Sequence, residues 1–420
     1  MEEIVKKWNQ QYHDKFKEFA LIHKVWEQEN LVKAWESVRA NKGSAGIDGV
    51  TIEQFEQNLQ QNLAEIQRLL KENRYEPEPV KRVLIPKDNG KMRQLGIPTV
   101  RDRVVQQALK IILEPIFEEI FLPQSHGYRP NTDAHAAVRK AEAFIRKDYR
   151  WAVDADIVGF FDHVDHQIMM DLVCEKIADG RVLALIESFL KSGVMNEGVF
   201  EESIEGTPQG GNLSPLLSNI YLNHFDRRMG EQGFLLLRYA DDIVIFCKFL
   251  SDAQDALKRA TEILEGELKL KLSPEKTKIV AAKSKGVEFL GFRFNGRWRS
   301  PKDKAKKKFK EEIKRRTRRQ QPINLETVIR RINPVIRGWG NYFKDGTVKT
   351  LYAELDGYIR GRLRSFKAKR RTWNTILYTL PETELAKMGL VTLSSLLNES
   401  VSCKGKSQTK AAYGKSVRAV

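Results

Sequence analysis

Cysteine is scarce in this chain, and histidine is missing from its C-terminal part. The three cysteines, Cys174, Cys247 and Cys403, are odd in number and far apart, so neither a disulfide framework nor a zinc site can be read from them. All seven histidines lie at or before His224. Residues 1–20 lack the apolar core of a signal peptide, and no later apolar run is long enough to cross a bilayer. We therefore expect a cytoplasmic protein with no membrane partner.

The composition is that of a soluble globular protein with a polyanionic partner. A length of 420 residues, with 41% hydrophobic and 9% aromatic residues, suffices for two or three domains with cores of their own. The formal net charge is +17, which favours binding to nucleic acid.

The positive charge is concentrated in two blocks of the C-terminal third. Residues 293–319 hold 14 Lys or Arg and 3 acids, and residues 360–371 hold seven basic residues and no acid. Together the blocks carry +18, so the remainder of the chain is close to neutral. This clustering predicts a nucleic-acid surface, although a solvated helix face would have the same composition.

Aromatic residues are interleaved with these basic residues, and two roles are open to them. They are Trp298, Phe309, Phe366 and Trp373. Aromatic rings in a basic segment either stack on nucleobases or anchor the helices to a core. The sequence does not decide between the two roles.

Two adjacent acids, Asp241 and Asp242, lie between two strand-like apolar runs, residues 234–237 and 243–246. Neighbouring side chains on a strand point to opposite faces, so both acids can serve one site only if the backbone reverses there. An Asp-Asp step between two β-forming runs is a hairpin signal. The step is therefore either a solvated turn or part of a functional site.

A second strand-like segment, residues 151–157, also carries acids, at Asp154 and Asp156. Carboxylates on neighbouring strands repel each other unless a cation lies between them. Mg²⁺ is the expected cation, because it binds carboxylate and phosphate oxygens together. Two such ions hold the attacking and leaving oxygens of an in-line phosphoryl transfer. The two acidic segments together therefore predict polymerase chemistry.

Hydrophobic periodicity divides the chain into a helical start, a mixed middle and a helical end. Helical spacing in the first 40 residues gives way to a glycine-rich loop at 41–49. Strands predicted at 81–86 and 92–97 form a hairpin, and strands and helices then alternate as far as residue 294. Beyond that residue the pattern predicts helices alone.

Several segments match one protein family in order and spacing. They are Ile85-Pro-Lys87, Arg93-Gln-Leu-Gly-Ile-Pro98, Ser125-His-Gly-Tyr-Arg-Pro130, Asp156-Ile-Val-Gly-Phe-Phe-Asp162, Gly206-Thr-Pro-Gln209-Gly-Gly-Asn-Leu-Ser-Pro-Leu217, Arg238-Tyr-Ala-Asp-Asp242, Leu270-Lys-Leu-Ser-Pro-Glu-Lys276 and Phe289-Leu-Gly-Phe292. This ordered set resembles the reverse transcriptase of bacterial group II introns, over at least residues 40–370. The stretch Ile336-Arg-Gly-Trp339-Gly-Asn-Tyr342-Phe343 is similar to the family's maturase-specific segment, although Trp339 and Tyr342 also suit a core.

The resemblance implies an α+β right-hand polymerase. Its fingers and palm would contain antiparallel sheet packed by helices, and an all-α thumb that doubles as the maturase domain would follow. The expected domains are 1–74, a helical extension with the family's extra N-terminal loop; 75–295, fingers and palm; 296–372, thumb and maturase; and 373–420, a short basic segment for DNA binding with a partly disordered tail.

The resemblance also implies which residues perform catalysis. Asp156 and Asp241 would bind two Mg²⁺ ions, with Asp242 beside them and the Ile157 carbonyl as a backbone ligand. Asp154 is the competing candidate in the same strand.

Phe161 is implied to pack under the incoming sugar, where its ring would exclude a 2′-hydroxyl. The family's catalytic acid stands five residues before this aromatic, and that spacing favours Asp156 over Asp154. Phe161 has an alternative role as a core aromatic, because Phe160 is its neighbour and alternation directs only one of the two rings into the site.

Four further residues are implied to contact the nucleotide. Lys87 and Arg93 lie on the two arms of the predicted fingers hairpin, where they either bind a triphosphate or remain exposed charges. Gln209 lies where the family holds the nucleotide and template. Lys276 aligns with a lysine proposed to protonate the pyrophosphate leaving group, and Lys278 is a second candidate for that role.

The implied partners are group II intron RNA, an RNA template with its DNA primer, deoxynucleoside triphosphates and target DNA, which would associate the protein with the nucleoid. Some relatives carry an HNH-type endonuclease with His and metal ligands at the C-terminus. Because no histidine follows His224 and Cys403 is the only cysteine in the last third of the chain, we expect no such domain in this sequence.

Two rival functions remain open at this point. One is an RNA-binding maturase with an idle polymerase site, and the other is a free-standing relative recruited to defence or DNA repair. Against the first, the site residues Asp156, Asp241, Asp242, Lys87 and Arg93 are all in place. The maturase-like segment argues against the second.

Overall fold

A computed structural model describes residues 18–86, 90, 92–196, 198–207, 210–282, 286–296, 298–369 and 380–397. Its α-helices are α1 (Ile22–Trp26), α2 (Gln28–Ala40), α3 (Ile52–Gln57), α4 (Leu59–Lys71), α5 (Val100–Glu118), α6 (Ala134–Arg146), α7 (His166–Cys174), α8 (Gly180–Leu190), α9 (Ser214–Glu231), α10 (Leu250–Thr261), α11 (Asp303–Arg316), α12 (Leu325–Phe343), α13 (Lys349–Ala368) and α14 (Glu382–Lys387). Its strands are β1 (Val80–Pro86), β2 (Met92–Ile97), β3 (Ser125–His126), β4 (Trp151–Ala155), β5 (Val194–Asn196), β6 (Val199–Glu201), β7 (Leu235–Tyr239), β8 (Asp242–Cys247), β9 (Lys278–Ala281), β10 (Val287–Phe289), β11 (Phe292–Asn295) and β12 (Trp298–Pro301).

The strands form three sheets over the described ranges. Their orders are β2-β1-β5-β6, β3-β7-β8-β4-β9 and β10-β11-β12. Most neighbours run antiparallel, which agrees with the predicted α+β fold, but β1 pairs with β5 and β3 with β7 in parallel. The first sheet contains the fingers hairpin, in which Ile85 lies opposite Arg93, and the second contains both acidic segments.

The structure divides into two compact units, one ending at Val280 and the other beginning at Ala281. The domain limits expected from the sequence, at residues 74, 295 and 372, remain predictions. No helix in the described ranges is long and apolar enough to cross a membrane.

Helix α5 illustrates how the sequence builds the first unit. Thr99 caps the helix by accepting a hydrogen bond from the Asp102 amide at 3.1 Å. Asp102 is itself buried and accepts a bond from the Tyr75 hydroxyl at 2.7 Å. The apolar residues of α5 are largely buried, so the helix belongs to the hydrophobic core of the first unit, which also includes residues of β4, β7 and β8.

The second unit contains a separate core made by α11, α12 and α13. Phe309 stacks on Trp339 with ring centroids 4.7 Å apart, and Phe366 is buried in the same core. These two aromatic residues of the basic blocks are therefore anchors. Trp298 is 65% exposed, and Trp373 lies outside the described residues.

The prediction that residues beyond 294 are all helical is wrong at β12. Asn295 pairs with Trp298 across a two-residue turn, and Gly296 adopts a φ of +58° there, which favours glycine. The inward-facing Phe292 and Phe294 are buried. The period-two pattern of this short hairpin is masked in the sequence by the basic residues around it.

Two glycines of α12 differ in their surroundings and provide a test of packing. A Cβ on Gly340 would lie 2.5 Å from Leu396 Cδ1 and 2.8 Å from Leu393 Cδ2, whereas one on Gly338 would meet nothing within 4 Å. We expect Gly340→Ala to lower the free energy of unfolding by about 1–3 kcal/mol through overpacking. The matched variant Gly338→Ala should raise it by about 0.5–1 kcal/mol through helix propensity. Urea unfolding measures both, and a shift of the same sign in the two variants would contradict the packing of α12.

Candidate active site

The Asp-Asp step lies at a tight turn between β7 and β8. Tyr239 pairs with Asp242, which leaves Ala240 and Asp241 as a two-residue loop, so the predicted hairpin is confirmed. Ala240 has a φ of +55°, a left-handed conformation that costs a non-glycine residue about 1–3 kcal/mol. Asp241 and Asp242 are both exposed at this turn.

A buried arginine holds the strained turn in place. Arg238 is fully buried and forms a two-pronged ion pair with Asp226, at 2.6 and 2.9 Å. Its Nη1 also donates to the Ala240 carbonyl at 2.9 Å and to Asn219 Oδ1 at 2.9 Å. Its Nη2 donates to Ser125 Oγ at 2.6 Å. Forked bonds from a guanidinium to a carboxylate are strong and directional, so one conformation of the turn is fixed.

The Ser-His-Gly segment supports the same turn from the other side. The His126 carbonyl accepts a bond from the Ala240 amide at 2.9 Å, and the Gly127 carbonyl accepts one from Asn219 Nδ2 at 3.0 Å. A Cβ on Gly127 would lie 2.8 Å from the Ala240 nitrogen. Only glycine therefore allows this close approach of the two backbones.

Sequence reasoning did not identify Arg238, Asp226 or Asn219 as parts of the site. One signal was available for Arg238, since it is a charged residue within an apolar strand run, and such a residue needs a buried partner. Its main partner, Asp226, lies on α9 and carries no local signal of its own.

Asp156 follows β4 directly, beside the hairpin. Ala155 pairs with Ile243 in the antiparallel β4–β8 ladder, so Asp156 and Asp242 are the next residues beyond that pair on the two chain segments. The two acidic segments predicted from the sequence are therefore neighbours in the sheet β3-β7-β8-β4-β9, which we call the palm sheet.

The loop after the π-helical turn Glu262–Glu267 holds the backbone of Asp156. The Asp156 carbonyl accepts a bond from the Ser273 amide at 2.8 Å, and its amide donates to Thr277 Oγ1 at 3.3 Å. Lys276 Nζ lies 2.8 Å from Asp156 Oδ2, whereas Lys278 Nζ lies 3.7 Å from Asp154. Of the two candidate lysines, Lys276 is thus the one that contacts Asp156.

Phe160 and Phe161 have different environments. Phe160 is 2% exposed and packs edge-to-face against Tyr221 in the core. Phe161 is half-buried and lines a cavity of about 1140 Å³ that also borders Gln94 and Gly96 of the fingers hairpin. Of the two residues, only Phe161 lines the cavity, but both lie in a 3-10 turn, Phe160–Asp162, and not in a strand, so strand alternation is not the reason.

The remaining predicted nucleotide contacts are described in part. Arg93 is exposed on β2. Lys87 and Gln209 lie outside the described residues. Close to Gln209 in the chain, a Cβ on Gly210 would lie 2.5 Å from the Gly96 carbonyl, so this glycine packs directly on the fingers strand.

The oxygen atoms at the site suit a hard divalent cation. The carboxylates of Asp156 and Asp242 and the Ile157 carbonyl are donors that Mg²⁺ prefers, and the Lys276 ammonium beside Asp156 shows that this carboxylate accepts a cation. No group of three or more His, Cys, Asp or Glu side chains able to hold a metal occurs among the described residues. Further ligands would come from substrate phosphates and water, as is usual for Mg²⁺.

Two family models match consecutive parts of the chain. The first, reverse transcriptase (RNA-dependent DNA polymerase), matches residues 85–294, and the second, the group II intron maturase-specific domain, matches residues 306–379. The chain belongs to the group II intron reverse transcriptases. It is therefore an RNA-directed DNA polymerase with a maturase domain.

Three relatives illustrate the similarity. Protein YkfC of Escherichia coli strain K12 is 34% identical over 65% of this chain and 82% of its own length. The group II intron-encoded protein LtrA of Lactococcus lactis subsp. cremoris is 40% identical over 46% of this chain and 32% of its own length. A 91 kDa protein in the cob intron of Schizosaccharomyces pombe is 36% identical over 43% of this chain and 21% of its own length. The family and fold predicted for this reverse transcriptase are thus confirmed, and the roles of its single residues remain predictions.

The buried ion pair gives a test of how the turn is held. Arg238→Met leaves Asp226 as a buried, unpaired charge, so we expect the free energy of unfolding to fall by about 3–5 kcal/mol. The double variant Arg238→Met/Asp226→Leu removes both charges. Its loss in free energy of unfolding should be about 1–3 kcal/mol smaller than the sum of the losses in the two single variants. Urea unfolding of the three variants measures this coupling.

Arg228 provides the matched control for that cycle. It pairs with Glu267 at 3.1 Å but is 39% exposed, so Arg228→Met should cost only about 0–1 kcal/mol. Strictly additive losses at Arg238 and Asp226 would show that the two charges do not compensate each other.

Proposed function

We propose that this reverse transcriptase copies group II intron RNA into DNA from deoxynucleoside triphosphates, and that it binds the same RNA to assist splicing. The observation that carries the proposal is the β4–β8 ladder, in which Ala155 pairs with Ile243, next to Asp156 on one strand and Asp242 on the other, beside the held turn at Asp241. Catalytic acids from two remote segments would thereby lie close together on neighbouring inner strands of the sheet.

The proposed reaction is attack by the 3′-hydroxyl of a primer on the α-phosphate of the incoming nucleotide. Asp156, Asp241, Asp242 and the Ile157 carbonyl would hold two Mg²⁺ ions, which neutralise charge that develops on the phosphate oxygens. The exposed carboxylates at the turn allow the primer terminus and the triphosphate to approach. Lys276, beside Asp156, is proposed to donate a proton to the departing pyrophosphate.

The fingers residues are proposed to bind and orient the nucleotide. Arg93 offers a forked donor to the triphosphate and Lys87 a point charge. Gln209 is proposed to hold the nucleotide against its template. Phe161 is proposed to exclude the 2′-hydroxyl, and its half-buried ring at the cavity wall supports this role.

The second unit is proposed to bind RNA through its lysine-rich helix. Lys306, Lys307, Lys310 and Lys314 of α11 line a groove of about 410 Å³. Tyr358 of α13 lines the same groove. Ammonium groups spaced along one helix suit contacts to phosphates rather than to bases. Intron RNA and the template with its primer are the proposed occupants, and target DNA in the nucleoid is the proposed site of integration.

The polymerase and the maturase functions can be separated by removing the acids of the turn. We expect Asp241→Ala/Asp242→Ala to reduce primer extension by at least about a thousandfold, because catalytic groups that act as a unit fail together. Splicing of the intron RNA, assayed in parallel, should persist, since the lysine-rich helix is unchanged.

Asp255→Ala, which removes an exposed acid of α10, is the control and should leave both activities intact. Extension that survives the double change would refute the assignment of Asp241 and Asp242. Loss of splicing in the double variant would show that the two functions share this site.

Sugar selection gives a second test of the site. Phe161→Ala should lower the preference for deoxynucleotides over ribonucleotides, measured as a ratio of kcat/KM values, by about 10–100-fold. Phe55→Ala removes a buried ring of α3 that stacks on Trp35 and should reduce thermal stability while leaving that ratio unchanged. An unaltered ratio in Phe161→Ala would contradict the steric role.

A further inference from the structure

The loop that leads to Gln209 is tied to the segment that carries Phe161. The Thr207 amide donates to the Phe161 carbonyl at 2.7 Å, and the Gly206 amide donates to the Val164 carbonyl at 2.8 Å. Residues 206 and 207, which precede Gln209 in the chain, are therefore linked to the Phe161 segment through backbone bonds.

Gly206 allows the loop to lie very close to the backbone of Phe161 and Asp162. Its φ is +89°, and a Cβ there would lie 2.9 Å from the Phe161 carbonyl oxygen and 3.0 Å from that of Asp162. Any other residue would push the loop away from Phe161.

Two histidines contact this loop among the described residues: His163 Nδ1 lies 3.3 Å from the Glu205 side chain, whereas His166 bonds to the loop backbone. The Nε2 of His166 lies 2.7 Å from the Gly206 carbonyl oxygen, which can only accept, so the imidazole donates from Nε2. Burial lowers the pKa of His166, so the neutral Nε2–H form is favoured at neutral pH.

The ring of His166 is itself held by its position in the fold. It is 9% exposed and begins α7 directly after the helix cap Asp165. Asp165 accepts bonds from the Ile168 amide at 3.0 Å and from Lys269 Nζ at 2.6 Å. The helix cap therefore holds the backbone of His166 in place. The bond from His166 Nε2–H to Gly206 then sets the distance between α7 and the loop.

We propose that His166 is a positioning residue for sugar selection: its bond to Gly206 holds the loop against the Phe161 backbone and so fixes the ring that faces the incoming sugar. This inference rests on the proposed role of Phe161. A small displacement of a positioning group is enough to change a rate about a hundredfold, so one hydrogen bond at this place can affect selectivity.

Two amide variants isolate the bond. Glutamine places its amide nitrogen near the position of Nε2 and can donate to Gly206, whereas asparagine places it near Nδ1 and cannot reach. We expect His166→Asn to lower the ratio of kcat/KM for deoxynucleotides over ribonucleotides about tenfold, mainly through a higher kcat/KM for the ribonucleotide, because a displaced Phe161 ring no longer excludes the 2′-hydroxyl. His166→Gln should retain the ratio of the unchanged protein within about threefold.

His224 supplies the matched control. It also makes a 2.7 Å bond, but to the side chain of Glu267, so His224→Asn should leave the ratio unchanged. Thermal denaturation of all variants identifies losses of stability alone. A folded His166→Asn protein with a lower melting temperature and an unchanged ratio would overturn the proposal.

A combined variant tests whether His166 acts through Phe161. If it does, Phe161→Ala/His166→Asn should have the same ratio as Phe161→Ala alone. Independent, multiplying effects would overturn the inference while leaving the steric role of Phe161 intact. An unchanged ratio in Phe161→Ala by itself would instead contradict the proposed function, so the two failures are distinguishable.

Discussion

The geometry of the turn at Ala240 and Asp241 depends on the ion pair of Arg238 and Asp226. Both side chains are fully buried, and a buried pair is weak evidence for stability because desolvation offsets much of its attraction. The main effect of the Arg238–Asp226 pair is to fix the conformation of the turn. The guanidinium also binds the Ala240 carbonyl, so a left-handed residue that would otherwise relax is held where Asp241 and Asp242 project from the sheet. Without this bond to Ala240, the pairing of β7 with β8 alone would not fix the positions of Asp241 and Asp242.

Elsewhere in the site, hydrogen bonds between backbone groups hold the other segments in place. The His126 carbonyl binds the turn, the Asp156 carbonyl binds the Ser273 amide, and the Phe161 carbonyl binds the Thr207 amide. Backbone bonds place segments accurately because each donor and acceptor is fixed by its own chain, without the rotamer freedom of a side chain. The backbone therefore determines where the acidic and aromatic side chains of these segments lie.

Local features were predictable from the sequence, and long-range partners were not. Strand β2 has the predicted bounds, residues 92–97, because Gly90 and Pro98 mark its two ends in the sequence. The helical spacing of residues 52–73 predicts a single helix, but the structure breaks it at Asn58, where the sequence has no proline or glycine. The partners of Arg238 lie 12, 19 and 113 residues away, so neither periodicity nor motif spacing could identify them. The family resemblance supplied the acids of the site but not what holds them.

Several lysines and arginines of the C-terminal basic blocks pair with neighbouring acids in the structure. Lys306 pairs with Asp303 and Lys310 with Glu354, at 2.6 and 2.9 Å. Arg315 and Arg316 together hold the pKa of Glu312 down at about 2. These pairs are at least partly exposed, and such pairs contribute little to stability, so a phosphate can replace an acid at small cost. Exchange of a paired acid for a phosphate would make the RNA binding proposed for this surface strongly dependent on salt.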